Sequence, residues 1–137
     1  MPEKLLLPLL LVFMTSAVMA QSSSSDEALL YFISPADGAT VTNPVVVRFG
    51  LKNMGVAPAS IQIENTGHHH LLIDTILPPL DQPVPASEHH LHFGKGQTET
   101  ELTLTPGKHT LQLLLGDYMH VPHNPPVFSE PITVIVE

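Results

Sequence analysis

The feature that most constrains the fold is a series of short β-prone segments separated by turns rich in proline and glycine. The chain contains 14 prolines and 8 glycines in 137 residues, and both residues interrupt helices and mark turns. No stretch of useful length shows a helical period. Repeated short strands of this kind predict an all-β fold, specifically an antiparallel β-sandwich of seven or eight strands. The predicted strands cover residues 28–33, 45–51, 61–63, 68–74, 89–93, 98–104, 109–115 and 132–136.

The first twenty residues have the pattern of a secretory signal. Lys4 precedes an apolar run over residues 5–13, and Val18 and Ala20 supply small residues before a cleavage point at Gln21. The apolar run is short for a membrane span, so an uncleaved anchor is the less favoured alternative. A periplasmic or secreted location is therefore expected. The predicted organisation is a signal peptide over 1–20, a disordered Ser-rich linker over 21–27 and one sandwich domain over 28–137.

Charge and cysteine content narrow the possible partners. The formal net charge is −8, which argues against nucleic acid and anionic membrane surfaces and favours cationic partners, including metal ions. The chain has no cysteine, so disulfides and thiolate ligands are excluded. It has nine histidines, whose charge changes in mildly acidic solution, so the surface is expected to respond to pH.

Most of the histidines fall in three short clusters, at residues 68–70, 89–92 and 120–123. Side chains two apart on a strand share a face, so each of the first two clusters presents a pair of imidazoles side by side. Imidazole is a good ligand for copper and zinc. The order of turns places the second and third clusters at one end of the sandwich, and the first is expected to join them, in one site or two. The predicted metal ligands are His68, His70, His90, His92, His120 and His123.

Other residues near the clusters have more limited roles. His109 is expected at the opposite end, roughly 20 Å away, as a hydrogen-bonded structural residue. Met119 is a candidate thioether ligand, which would favour Cu(I), although core packing explains a methionine equally well. Carboxylates that could orient the imidazoles are Asp74, Glu88, Glu99 and Asp117.

Four stretches together resemble a known family. They are the segments GHHHLLID at 67–74, HHLHFGKGQTE at 89–99 and GKHTLQL at 107–113, followed by residues 115–126. This combination is similar to the bacterial family of small exported proteins catalogued as domain of unknown function 4399, over roughly residues 33–136. The resemblance implies an immunoglobulin-like sandwich and brings no established activity.

Two functions remain open. The first is an exported protein that binds copper or zinc for handling or delivery of the metal. The alternative is a metal-independent module of the cell envelope that binds another protein or a polymer, with histidines that sense pH. An enzyme is less favoured, since the chain has neither a Gly-x-Ser-x-Gly elbow nor a phosphate-binding loop before a helix.

Overall fold

The computed structural model describes Met1 and residues 20–137, and this part of the chain is an all-β sandwich without helices. The fold class predicted from the turn pattern is therefore confirmed. The predicted signal peptide lies almost wholly outside the described residues. Within the described part, no helix has the length and apolar character needed to cross a membrane. The strands are β1 (Leu29–Ser34), β2 (Ala39–Val41), β3 (Val45–Lys52), β4 (Gly55–Val56), β5 (Thr66–Ile73), β6 (His90–His92), β7 (Glu99–Leu102), β8 (Gly107–Gly116) and β9 (Ile132–Val136).

The strands form two sheets. The smaller has the order β1-β3-β7 and is antiparallel throughout. The larger has the order β2-β9-β8-β5-β4, and β6 also pairs with β5. Its main pairs are antiparallel, while β2 joins β9 and β4 joins β5 in parallel. These two short strands were not predicted from the sequence.

The strand predicted at residues 61–63 is wrong, because this segment is a loop. Ile61 and Ile63 have exposed fractions of 48% and 55%. The sequence predicts a short strand here, but both isoleucine side chains are exposed instead of packing in the core. The parallel strand β4 instead extends the sheet beside the first residues of β5.

The main core lies between the two sheets. Val47 and Phe49 of β3 pack with Leu71 of β5, Leu113 of β8 and Val134 of β9, all of them buried. Each side chain of this size contributes about 1.5–3 kcal/mol when it is fully buried. The alternation that predicted these strands therefore reports the face that points into the sandwich.

A second, smaller core covers the outer face of the large sheet. Leu72 of β5 and Leu114 of β8 pack there against Val84, with Leu77 and Leu80 at its edge. These last three residues belong to the Pro-rich connection between β5 and β6, which crosses the outside of the sheet. Strand β5 is consequently buried on both faces, although it lies in a largely antiparallel sheet.

Residues 21–24 make specific hydrogen bonds with distant parts of the chain, whereas their composition predicted disorder. The Gln21 Nε2 group donates to the carbonyls of Leu80 and Pro122 at 2.7 and 2.9 Å. The backbone of Ser22 accepts a hydrogen bond from the Asn124 N–H at 2.9 Å. These partners lie roughly sixty to one hundred residues away, so a local reading of a polar segment does not reveal them.

His109 is held between two oxygen acceptors. Its Nδ1 lies 2.7 Å from the Asp74 carboxylate and its Nε2 lies 2.8 Å from the Thr105 carbonyl. A ring that donates from both nitrogens is an imidazolium. The hydrogen bonds to Asp74 and Thr105 accordingly raise the pKa of His109, against a smaller opposing effect of burial. Partial burial alone would raise the pKa of Asp74, but its hydrogen bonds with His109 and Thr110 lower it.

Replacement of His109 by glutamine should destabilise the protein more at pH 6 than at pH 9. Because the folded-state pKa of His109 is raised, its contribution is fully present below the unfolded-state pKa of about 6.5. That contribution disappears as the pH rises through the folded-state pKa. Urea unfolding of wild type and His109→Gln at both pH values measures the difference. An equal or larger effect at pH 9 would contradict the imidazolium assignment.

Candidate metal centre

Four histidines from three segments come together on the outer face of the large sheet. They are His68 and His70 of β5, His92 of β6 and His120 of the loop after β8, and one ring nitrogen of each lies within 4.8 Å of those of the others. The pairing of β5 with β6 places His70 directly opposite His92. We refer to these four residues as the histidine cluster.

The closest contacts converge on one nitrogen of His68. Its Nε2 lies 3.1 Å from Nε2 of His92 and 3.1 Å from Nδ1 of His120. A neutral imidazole nitrogen carries either one proton or one lone pair, so it makes one good hydrogen bond in the ring plane. Two neighbours must therefore share the single proton or lone pair of this nitrogen in a three-centre contact, and neither hydrogen bond can be well directed. A cation between the three nitrogens would instead bind a lone pair from each of them.

The distances fit a metal ion. Zinc bonds to imidazole nitrogen at about 2.0–2.1 Å, and tetrahedral coordination then separates the nitrogens by roughly 3.3 Å. The 3.1 Å contacts of His68 and the overall limit of 4.8 Å lie around this value. The four donors are all imidazoles, a ligand type that suits copper, zinc and nickel.

Burial keeps the inner histidines neutral and therefore ready to bind a cation. His68 and His70 have exposed fractions of 0% and 1%. Burial, with smaller effects of the neighbouring rings, lowers the pKa of His68 to about 4 and that of His70 to about 3. The negative charge of Asp117 opposes this effect at His68. Burial first, and then the proximity of His120, lower the pKa of His92 as well.

Two glycines leave room for the rings. A Cβ atom at Gly94 would overlap the ring of His92, with Nε2 only 2.8 Å away, and one at Gly116 would lie 2.7 Å from Cε1 of His70. Neither glycine has a positive φ, so the requirement is for space. Both glycines are close in sequence to cluster histidines, but the chain gives no local sign that they contact them.

The cluster has a buried side and an exposed side. His92 is exposed and His120 is partly exposed, whereas the two β5 histidines are enclosed. Met119, beside His120 in the sequence, has an exposed fraction of 49%. An ion held here would thus be reachable from solvent past His92.

The other two predicted ligands lie outside the cluster. Nδ1 of His90 is 2.8 Å from Oγ of Ser87, in the turn that precedes β6. His90 shares a sheet face with His92. It pairs with Leu72, which lies two residues beyond His70 along β5 and outside the cluster. Nε2 of His123 donates to the carbonyl of Thr66 at 2.9 Å.

The turn order predicted that His92 and His120 lie at one end of the sandwich, and the structure agrees: His92 is the last residue of β6, and His68 pairs with Gly116, the last residue of β8. The turn order did not show that the cluster lies on the outer face of the large sheet, where the loop after β8 folds back. His69 lies between the two cluster residues of β5 and points the other way, towards the main core. The centroid of its ring is 5.0 Å from that of Phe49. Burial lowers the pKa of His69 to about 4.

A pocket of about 310 Å³ adjoins the cluster. It shares His68 with the cluster, and its other walls come from the 57–67 loop, Asp117, His123 and the segment around Ser22. Nδ1 of His68 and Nδ1 of His123 are buried and have no hydrogen-bond partner among the described residues. The pocket touches none of the other three cluster histidines, so it is separate from the exposed side at His92.

The model of the family described as Domain of unknown function (DUF4399) matches residues 47–137. The chain belongs to this family. The match confirms the resemblance carried by the histidine motifs, and it includes every residue of the cluster. Neither a curated protein nor a solved structure matches the chain significantly. Any function of this DUF4399 protein therefore has to be argued from its own residues.

His68 and His70 should remain neutral at pH 5 in the metal-free protein. Their pKa values of about 4 and about 3 lie below the ordinary 6.5. Between these values the unfolded chain binds protons that the folded protein does not, so the free energy of unfolding is unaffected above pH 6.5 and falls as the pH drops below it. The loss by pH 5 is on the order of 2 kcal/mol per ring. Long-range ¹H–¹⁵N spectra of the imidazoles report each protonation state. A midpoint above pH 6 for either ring would contradict the assignment.

Proposed function

We propose that the protein binds one transition-metal ion, Cu(II) or Zn(II), through His68, His70, His92 and His120. It would act in handling or delivery of the metal, in the periplasm or outside the cell. The observation that carries this proposal is the approach of two imidazole nitrogens to Nε2 of His68, each at 3.1 Å. Neutral rings can make both contacts only by sharing one proton or one lone pair between two partners, whereas a cation would bind all three nitrogens directly.

A proton is a weaker explanation of the same contacts than a metal ion. A protonated cluster would need a buried imidazolium, but burial lowers the pKa values of His68 and His70 to about 4 and about 3. At neutral pH the rings are thus free bases. A metal ion can then bind without first displacing protons from the ligands, which favours a high metal affinity.

The donor set favours metal ions of borderline hardness, between the hard and the soft ions. Four imidazoles without thiolate or carboxylate favour Cu(II) and Zn(II) over Mg(II), Ca(II) and Mn(II), and the Irving–Williams order places Cu(II) highest. Met119 is exposed beside His120, but it is not needed to complete four-coordination. The exposed side at His92 would let a bound ion exchange with a partner or a small chelator, as delivery requires.

A metal-independent interaction module is the second candidate. The observation in its favour is the exposure of the apolar side chains of Val56, Ile61 and Ile63, at 37%, 48% and 55%. They lie on or beside the 57–65 loop, which bonds to the backbone of Gly94 and Tyr118 near the cluster. Such a module would capture an envelope protein or polymer equally well in the presence of a strong chelator.

Calorimetric titration with Cu(II) and Zn(II) tests the metal proposal on tag-free protein lacking residues 1–20. One ion should bind with a Kd below about 10 μM. His92→Ala should weaken binding by at least about 100-fold, because loss of a direct ligand should exceed the 10–100-fold cost of losing an outer partner. His90→Ala is the matched control from the same strand and should bind as wild type. Equal affinities for both variants would defeat the proposal.

Gly94→Ala should separate metal binding from folding. The added methyl group displaces the exposed ring of His92, so affinity should fall by at least about 10-fold. The backbone at Gly94 has no positive φ and the ring can swing into solvent, so the melting temperature of the metal-free protein should change little. Unchanged metal affinity would mean that His92 does not take part.

A further inference from the structure

Asp117 is a buried carboxylate inside the loop that carries His120. Its exposed fraction is 5%. Its Oδ1 accepts hydrogen bonds from the N–H groups of Met119 at 2.9 Å and of Val121 at 3.0 Å. The side chain therefore contacts the residues immediately before and after His120.

The backbone of Asp117 closes the same turn. Its N–H donates to the carbonyl of Val121 at 2.8 Å, and its carbonyl accepts from the N–H of His120 at 2.9 Å. The N–H of Val84, in the Pro-rich connection, donates to the carbonyl of His120 at 2.9 Å. With these contacts the position of the His120 backbone is fixed from both sides.

His120 needs this support because its own conformation is unfavourable. Its φ is +67°, a left-handed conformation that a non-glycine residue keeps only where the surroundings impose it. The Oδ2 atom of Asp117 accepts from Oγ of Ser22 at 2.8 Å, so both carboxylate oxygens are satisfied. A buried carboxylate with three donors is a stable anchor for a strained loop.

We infer that Asp117 is a positioning residue for the histidine cluster, which holds His120 in its metal-binding place and supplies a nearby negative charge to a bound divalent ion. This inference rests on the proposed metal function. Four neutral imidazoles leave the charge of a divalent ion uncompensated, and Asp117 is the buried carboxylate beside them. Asp117 touches no metal directly in this arrangement, since its oxygens face the loop and Ser22.

Two substitutions separate the two contributions. Asp117→Asn keeps an oxygen acceptor for Met119 and Val121, and its amide can donate to the Ser22 hydroxyl, so the loop remains and only the charge is lost. Asp117→Ala removes the acceptor and releases the loop. The matched control is Asp81→Asn, which removes an exposed carboxylate from the Pro-rich connection.

Cu(II) titration with electron paramagnetic resonance provides a readout that a purely structural role would not change. Wild type and Asp81→Asn should show four nitrogen donors. Asp117→Ala should show three, with the spectrum of His120→Ala and an affinity about 10-fold lower, because the charge is lost as well. The double variant Asp117→Ala with His120→Ala should bind no more weakly than Asp117→Ala alone. Asp117→Asn should keep four nitrogens and lose about 10-fold in affinity.

Four nitrogens and wild-type affinity in Asp117→Ala would overturn the inference, as would additive losses in the double variant. If Asp117→Ala does not fold, Asp117→Asn decides: an affinity equal to that of Asp81→Asn overturns the charge contribution. If wild type binds no metal, the proposed function fails separately. The positioning role is then judged in the metal-free protein by amide exchange at Met119 and Val121, which Asp117→Ala should accelerate and an intact loop would leave unchanged.

Discussion

The burial of β5 on both faces is the constraint on which the rest of the structure depends. One face supplies Leu71 to the core between the sheets, as in any sandwich. The other supplies Leu72 to a second core beneath the Pro-rich connection. His68 and His70 share this outer face and are buried beside His92, His120 and Gly116, so two polar rings are removed from water. Their neutrality follows from that desolvation, whereas their rings lie 4.7 Å apart because residues two apart on a strand share a face.

The site combines rigid and adaptable parts. The two β5 histidines are fixed by the ladder with β8, while His92 arrives on a three-residue edge strand and His120 on a loop in a left-handed conformation. This division suits a site in which buried donors define the position and outer donors complete it. The carboxylate of Asp117 holds the His120 loop through the N–H groups of Met119 and Val121.

Periodicity predicted the fold well because strand alternation and turn residues are local properties. It assigned His68 and His70 to one face and His69 to the other, and the structure agrees. It failed at 61–63, where Ile61 and Ile63 remain exposed. Composition predicted disorder at 21–27, but residues 21–24 make hydrogen bonds with distant partners. Four of the six expected ligands lie in the cluster. His90 and His123 do not, since they contact Ser87 and Thr66 instead. Local spacing in the sequence does not show these contacts.

The sequence by itself determined the all-β class, the absence of sulfur chemistry from cysteine and an unusual supply of imidazoles in three short segments. These follow from composition and from short-range patterns, which each segment carries without its neighbours. Only the tertiary structure decided which rings meet, on which face, and in which protonation state. Those properties depend on the strand register between β5 and β6, on the path of the Pro-rich cover and on the loop held by Asp117, all of which join residues far apart in the chain.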